Sequence, residues 1–168
     1  MIPVDTIHKL FTYYYWARDE QLKSCEALSD EQWTRDIGNS FASVRDTFHH
    51  ILIAEWAWNQ RWRGGSLENV PNPKDVPTVA ALRERWQPFE VETKKFLDDL
   101  REDRLNDTVT FMNMQGKQNT CALWETFYHL LNHQSYHRGQ ITTMLRQLGA
   151  EASSVDYATR YLQSLQSV

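Results

Sequence analysis

His133-Gln134-Ser135-Tyr136-His137-Arg138-Gly139-Gln140 places two imidazoles four residues apart inside a strongly helical segment. One helical turn takes ~3.6 residues, so positions i and i+4 stack on the same face. Two neutral imidazoles side by side can chelate one divalent metal. The helix that carries them is predicted from about Thr120 or Cys121 to Leu148. Leu123, Phe127, Leu130, Ile141, Leu145 and Leu148 form its apolar stripe, and Gly149 is its stop. At ~100° per residue, His137 falls about 40° and His133 about 80° from the centre of that stripe, on the same side, while His129 falls about 120° away. His133 and His137 are therefore expected to point inward together, with His129 the weaker candidate.

Upstream, three more helical patterns appear. The first runs from about Val4 to Leu28, with Ile7, Leu10, Phe11, Tyr14, Leu22, Cys25 and Leu28 at helical spacing and Pro3 just before it. The second runs from about Ser43 to Arg63, with Val44, Phe48, Ile51, Trp58 and Trp62 as its stripe and Gly64-Gly65 as its end; Ser43 with Asp46 reads as a variant capping box. A loop from Ser66 to Pro77 follows. Thr78 then caps a third helix to about Leu100, in which Pro88 predicts a kink or a break near Gln87. Thr108-Val109-Thr110-Phe111-Met112 is β-branched and aromatic and predicts a small hairpin or extended connection before the fourth helix. A short final helix is expected from about Ser154 to Leu165, with Ser154 as cap and Tyr157, Tyr161 and Leu165 as its packing face.

Four amphipathic helices of about 20–28 residues argue for an all-α four-helix bundle as one domain over residues 1–168. The two longer connections are candidate crossovers, since antiparallel neighbours need only short links and the Ser66–Pro77 loop exceeds that need. With 168 residues, 41% hydrophobic and 24% charged, the chain can bury a full core without disulfides. Cys25 and Cys121, both placed in helices or at the start of one, read as small buried residues. The net charge of -4 and the lack of a long basic run exclude the footprint of a nucleic-acid binder. No stretch approaches the ~20 apolar residues that span a bilayer, and the first residues lack the pattern of a signal peptide, so a cytoplasmic, membrane-free protein is expected. The aromatic wealth of the first two helices (Tyr13, Tyr14, Tyr15, Trp16, Trp56, Trp58, Trp62) reads as core plus a subunit interface, or as a pocket for an apolar ligand.

A third ligand is sought on the second helix, which offers adjacent histidines. His50 shares an arc with Thr47, Ile51, Ala54 and Trp58, whereas His49 lies about 100° off; His50 is expected inward and His49 exposed or facing a partner. Three histidines from two helices would make an open site that leaves a coordination position for water or substrate. Metal-bound imidazoles usually donate the other ring N–H to an acceptor, for which Asp46, Glu55 and Asn132 are candidates; each could equally be a cap, a surface group or an ordinary hydrogen-bonding residue. Arg138 is a candidate for an anionic substrate group, or for an inter-helix ion pair. No nucleophile triad, phosphate-binding loop or CxxC pair is present.

Three blocks together resemble the DinB/YfiT-like superfamily of metal-binding four-helix-bundle proteins over nearly the whole chain. They are Tyr15-Trp16-Ala17-Arg18-Asp19-Glu20-Gln21-Leu22, then Ser43 to Trp56 with Trp58 and Arg61-Trp62, then Asn132 to Gln140. The resemblance implies metal ligands at His50, aligned on Ala54-Glu55-Trp56, and at His133 and His137, with no ligand substituted. It also implies zinc or nickel as the ion and often a homodimer. Some members use the metal to activate a low-molecular-weight thiol, which makes a metal-dependent thiol transferase with a small-molecule substrate the leading expectation. A metal-dependent hydrolase, with Asp46 or Glu55 as base, and a non-catalytic metal-binding stress-response protein are the alternatives.

Overall fold

The computed structural model describes residues 2–113 and 116–165, with side chains as far as Leu162. The element order is α1 (Val4–Cys25), α2 (Asp30–Thr34), α3 (Val44–Trp62), α4 (Val79–Asp98), β1 (Thr108–Met112), β2 (Gln118–Ala122), α5 (Leu123–Gln147) and α6 (Tyr157–Leu165), with short 3-10 turns at Pro73–Asp75 and Glu102–Arg104. The long helices α1, α3, α4 and α5 are the four expected from the sequence. They form a ring in which α5 lies between α1 and α3, and α4 closes the other side.

Side-chain pairs give the helix directions. Along α3 and α5 the pairs Thr47–Met144, His50–His133, Trp58–His129 and Trp62–Thr126 run in opposite senses, so these two are antiparallel. Arg18–Glu90 and Glu26–Arg83 make α1 and α4 antiparallel. Asn59–Phe89 and Arg63–Glu92 rise together, so α3 and α4 are parallel neighbours. A parallel neighbour can be reached only if the chain returns the length of the bundle. The 19 residues of α3 span ~28 Å at 1.5 Å each. The Ser66–Pro77 loop makes this return, which is the crossover its length implied. Its residue Val76 is fully buried, and Trp33 Nε1 donates to the Val76 carbonyl.

Several boundaries differ from the sequence reading. The first helix ends at Cys25 rather than Leu28, and α2 follows as a separate turn. Ser29 and Gln32 make a reciprocal capping box (Gln32 N to Ser29 Oγ 3.2 Å, Ser29 N to Gln32 Oε1 2.9 Å) that starts a new helix and seats Trp33 in the core. Ser43 caps α3, but Asp46 does not reach back to its backbone; the Asp46 carboxylate takes the Ser43 hydroxyl and Arg45 Nε instead. Pro88 does not break α4, which runs through it unbroken. Pro88 and Glu84 are both exposed, so the carbonyl that loses its i+4 donor is on the solvent side. The hairpin is antiparallel, with Thr108 paired to Ala122 and Thr110 to Thr120. It takes Thr120 and Cys121 from the predicted helix, so α5 starts at Leu123. At the other end Gly149 (φ 77°) accepts the left-handed turn that lets Ala150 N reach the Leu145 carbonyl at 2.9 Å.

Asp156, not Ser154, caps α6, through Ala158 N to Asp156 Oδ1 at 2.7 Å; the Ser154 hydroxyl pairs with Thr159. The expected packing face of α6 is largely open. Tyr157 meets the Tyr13 ring at 5.0 Å yet stays half exposed, and Tyr161 is also exposed. Leu165 keeps its place in the helix, but its side chain lies outside the described residues. No described helix is long and apolar enough to cross a membrane.

The core consists of two apolar clusters, one around Trp33, Phe48, Trp86 and Ile141, the other around Phe11, Tyr14, Trp58 and Phe127. The aromatics Tyr14, Tyr15, Trp56 and Trp58 are therefore mostly core. Where the clusters meet sits Glu55, fully buried. Its Oε2 accepts from Tyr14 Oη (2.5 Å) and Trp86 Nε1 (2.6 Å), and its Oε1 from Tyr15 Oη (2.7 Å) and Thr93 Oγ1 (2.9 Å). Gln134 Nε2 on α5 donates to Tyr14 Oη, so the network reaches all four long helices. Burial, reinforced by the charge of Glu55, pushes both phenols well above their ordinary range and keeps them protonated as donors.

Removing the shared acceptor would orphan these donors, among them the Trp86 N–H, which cannot accept. Glu55→Ala is expected to lower stability by about 4 kcal/mol, roughly 8–16 °C in melting temperature for a chain of this size. Glu55→Gln should cost less, because the Tyr15 and Thr93 hydroxyls can turn to accept from an amide. Thermal melts of the two variants check both the size and the order.

Candidate metal centre

Three histidines meet in the seam between α3 and α5. His50 comes from the first half of α3, and His133 and His137 from successive turns of α5. The His50 and His133 Nε2 atoms lie 2.9 Å apart, those of His133 and His137 3.2 Å apart. All three ligand atoms fall within 4.8 Å of one another, and among the described residues this is the one His, Cys, Asp or Glu group that could hold a metal ion. A tetrahedral ion with ~2.0–2.1 Å metal–nitrogen bonds separates its ligands by ~3.3 Å, close to these two contacts.

The proton distribution supports a cation at the centre. A neutral imidazole carries one N–H. His137 Nδ1 donates to Gln140 Oε1 at 2.6 Å, which leaves the His137 Nε2 as a bare lone pair. If His133 carries its proton on Nδ1, its Nε2 lone pair faces that of His137. If the proton is on Nε2, it lies between two neighbours and only one is well served; in either tautomer the buried Nδ1 has no hydrogen-bond partner. A divalent ion satisfies all three converging nitrogens at once. Burial, with smaller contributions from the neighbouring imidazoles, lowers His50 to about 4 and His133 to about 3, so both rings are neutral and their lone pairs available at neutral pH.

Two residues that shape the site were not anticipated. Gln140 orients His137 and is itself tied to Ser40, its Nε2 donating to Ser40 Oγ at 3.2 Å. Its signal was the i, i+3 spacing from His137 on one helix face. Phe41, from the loop before α3, stacks on His50 (centroids 4.1 Å, planes 25° apart) and meets His137 edge-on at 5.5 Å. No local pattern marks a ring brought in from a loop.

The structure redirects the other candidates. Asp46 is held by Ser43 and Arg45, Glu55 lies in the core network, and Asn132 is exposed, so none of the three supports a ring. Arg138 is buried but faces α1; it donates to Tyr13 of α1 and to Ser135 of its own helix and forms no ion pair with a described carboxylate. His129 is exposed and accepts from Trp58 Nε1 at 3.0 Å. His49 is buried, contrary to expectation: its Nε2 lies 2.9 Å from the Pro71 carbonyl. The return loop covers that flank of α3, which an ordinary antiparallel bundle would leave to solvent.

Comparison with known proteins agrees with this architecture. The model of the DinB family matches residues 3–165. Protein DinB of Bacillus subtilis (strain 168) is 24% identical over 163 residues, covering 91% of this chain and 92% of that protein. The uncharacterized protein YizA of the same organism is 22% identical over 162 residues, covering 95% and 98%. A DinB-like protein from Bacillus cereus ATCC 10987 superposes with a TM-score of 0.69 at 18% identity, over 90% of this chain and 97% of that one. The DinB-like protein YjoA from Bacillus subtilis gives 0.64 at 14% identity, over 88% and 97%. At these identities the solved structures establish the fold.

Two substitutions separate the roles assigned here. Gln140→Leu removes the acceptor of His137 and is expected to weaken binding of a divalent ion about tenfold or more. His49→Ala should leave that affinity unchanged while exposing the 66–76 segment to faster amide exchange. Metal titration and hydrogen exchange on the two variants test the division.

Proposed function

The chain belongs to the DinB family, and from that footing we propose that it binds one divalent metal ion through the Nε2 atoms of His50, His133 and His137 and uses it on a small-molecule thiol. The observation that carries this reading is the convergence of three imidazole nitrogens with too few protons to join them. An all-imidazole donor set suits zinc or nickel. Such an ion supplies Lewis acidity, and a thiol held beside it is deprotonated and made nucleophilic at neutral pH.

The protein's own residues set the conditions. Three protein ligands leave room for a small molecule in a tetrahedral or larger coordination sphere. Gln140 fixes the tautomer of His137, and Phe41 packs over His50 and shields that edge from water. His50 and His133 are only half-buried, so a solute can approach from the α3–α5 seam. A thiol transferase would need no base on the protein beyond this arrangement, since an ion held by His50, His133 and His137 would supply the acidity that lowers a thiol's pKa. A hydrolase would need a carboxylate beside the bound water, and the two candidates, Asp46 and Glu55, are engaged elsewhere. The transferase reading is therefore preferred.

Protein purified without added metal is expected to carry close to one zinc or nickel per chain by elemental analysis. His137→Ala should lose most of it, and His129→Ala should keep it. Loaded protein should then conjugate a low-molecular-weight thiol to a generic electrophile faster than His137→Ala does. Equal metal in wild type and His137→Ala would remove the centre. Full metal with no turnover for any cellular thiol would leave a non-catalytic metal protein.

A further inference from the structure

The flank of α5 turned away from the histidines holds a second feature, independent of the metal. Arg138 is only 3% exposed. Its Nη2 donates to Ser135 Oγ at 2.9 Å and Tyr13 Oη at 3.4 Å, and its Nη1 is buried with no acceptor. No described carboxylate lies within ion-pair distance of it. Arg18, buried to a similar degree, gives the contrast: its guanidinium is held by Asp19 at 2.8 Å and Glu90 at 2.6 Å. A buried charge is tolerated where a counter-charge and hydrogen bonds replace water. Arg18 has both; Arg138 lacks the counter-charge.

Arg138 borders a cavity of about 380 Å³ between α5 and the 152–156 segment that leads into α6. Arg138, Thr142 and Arg146 stand at i, i+4 and i+8, on one face of α5, and all three line it. Arg146 is exposed and has no ion pair among the described residues. Ser135, Ser153 and Ser154 add hydroxyls to the wall. One acid, Asp156, also lines it, with its Oδ1 already accepting from Ala158 N.

We propose that this cavity is a binding site for a phosphate-bearing small molecule, with its phosphate on the guanidinium groups of Arg138 and Arg146. Arg138, stacked on Tyr13 with one guanidinium nitrogen still without an acceptor, and Arg146, without an ion pair among the described residues, supply planar donors of the kind that match a phosphate. A phosphate monoester gathers up to two negative charges and three acceptor oxygens on one group, enough to be shared by two guanidinium groups, whereas a single carboxylate carries one charge and two oxygens. The volume lies within the range of small-molecule sites and leaves space for more than the anion. The site is distinct from the metal centre, since His137 and Arg138 leave α5 about 100° apart.

The test is calorimetric titration and thermal melting of the whole protein with inorganic phosphate, glycerol phosphate and malonate. Inorganic phosphate and glycerol phosphate are expected to bind and to raise the melting temperature, the phosphoester more tightly, and malonate to bind at least tenfold more weakly. Arg146→Ala, an exposed change that leaves the fold intact, should weaken the phosphoester about tenfold, and Arg138→Gln at least as much. Metal content should be unchanged in Arg146→Ala, so failure here and failure of the metal reading are separable. Binding of malonate as tight as that of phosphate, no binding of either phosphate, or binding that survives Arg146→Ala would each overturn the proposal.

Discussion

Glu55 ties the bundle together. A carboxylate removed from water in the centre of a protein is stable only if donors replace its hydration. Here Tyr14 and Tyr15 from α1, Trp86 and Thr93 from α4, and Gln134 through Tyr14 from α5 converge on one residue of α3. Apolar packing alone tolerates some rotation of a helix about its axis, because one aliphatic group can substitute for another. Four directed hydrogen bonds do not. With Glu55 turned inward, the rotation of α3 is set, and with Gln134 turned toward Tyr14, so is that of α5.

The histidine cluster follows from those two rotations. His50 precedes Glu55 by five residues, about 140° around α3, which takes it off the central axis and into the seam beside α5. Relative to Gln134, His133 lies about 100° and His137 about 60° to one side, while Arg138 lies about 40° to the other. The polar core thus sorts α5 into two flanks. One carries the imidazole pair toward α3, and the other carries the guanidinium toward α1. The cluster lies beside the core, with His137 buried and His50 and His133 partly open at the seam.

Much of this was legible in periodicity. The four long helices and the inward faces of His50, His133 and His137 rest on spacings of about 3.6 residues, whereas the hairpin rests on its β-branched and aromatic composition and the return loop on its length. The failures have a common cause. Glu55, a carboxylate near a histidine, reads as a candidate partner for the site, yet Ile51, Glu55, Trp58 and Trp62 share one helical face and place it amid the apolar stripe. Asp46, four residues before His50, and Asn132, next to His133, stand close in sequence yet support no ring of the cluster, whereas the actual partner, Gln140, is available from its i, i+3 relation to His137. His49 and Phe41 depend on loops that return from elsewhere in the chain, and no local period describes those. α2 leaves a different kind of signal: the Ser29–Gln32 capping box stands just beyond Leu28, where the first apolar stripe ends, and a helix of five residues is too short to show a period of its own.

The return loop also explains why the bundle needs His49. Parallel neighbours such as α3 and α4 cannot be joined by a tight turn, so a long segment must lie along the outside of the bundle. An extended segment carries carbonyls with no helical partner, and each one that is covered must find a donor. His49 Nε2 meets the Pro71 carbonyl and Trp33 Nε1 the Val76 carbonyl, so two buried ring nitrogens are committed to backbone where the segment crosses α3 and α2. Adjacent histidines on α3 therefore have separate work: one turns outward to hold the returning chain, the other into the seam. Since the two point about 100° apart, the rotation that delivers His50 to α5 also delivers His49 to the loop.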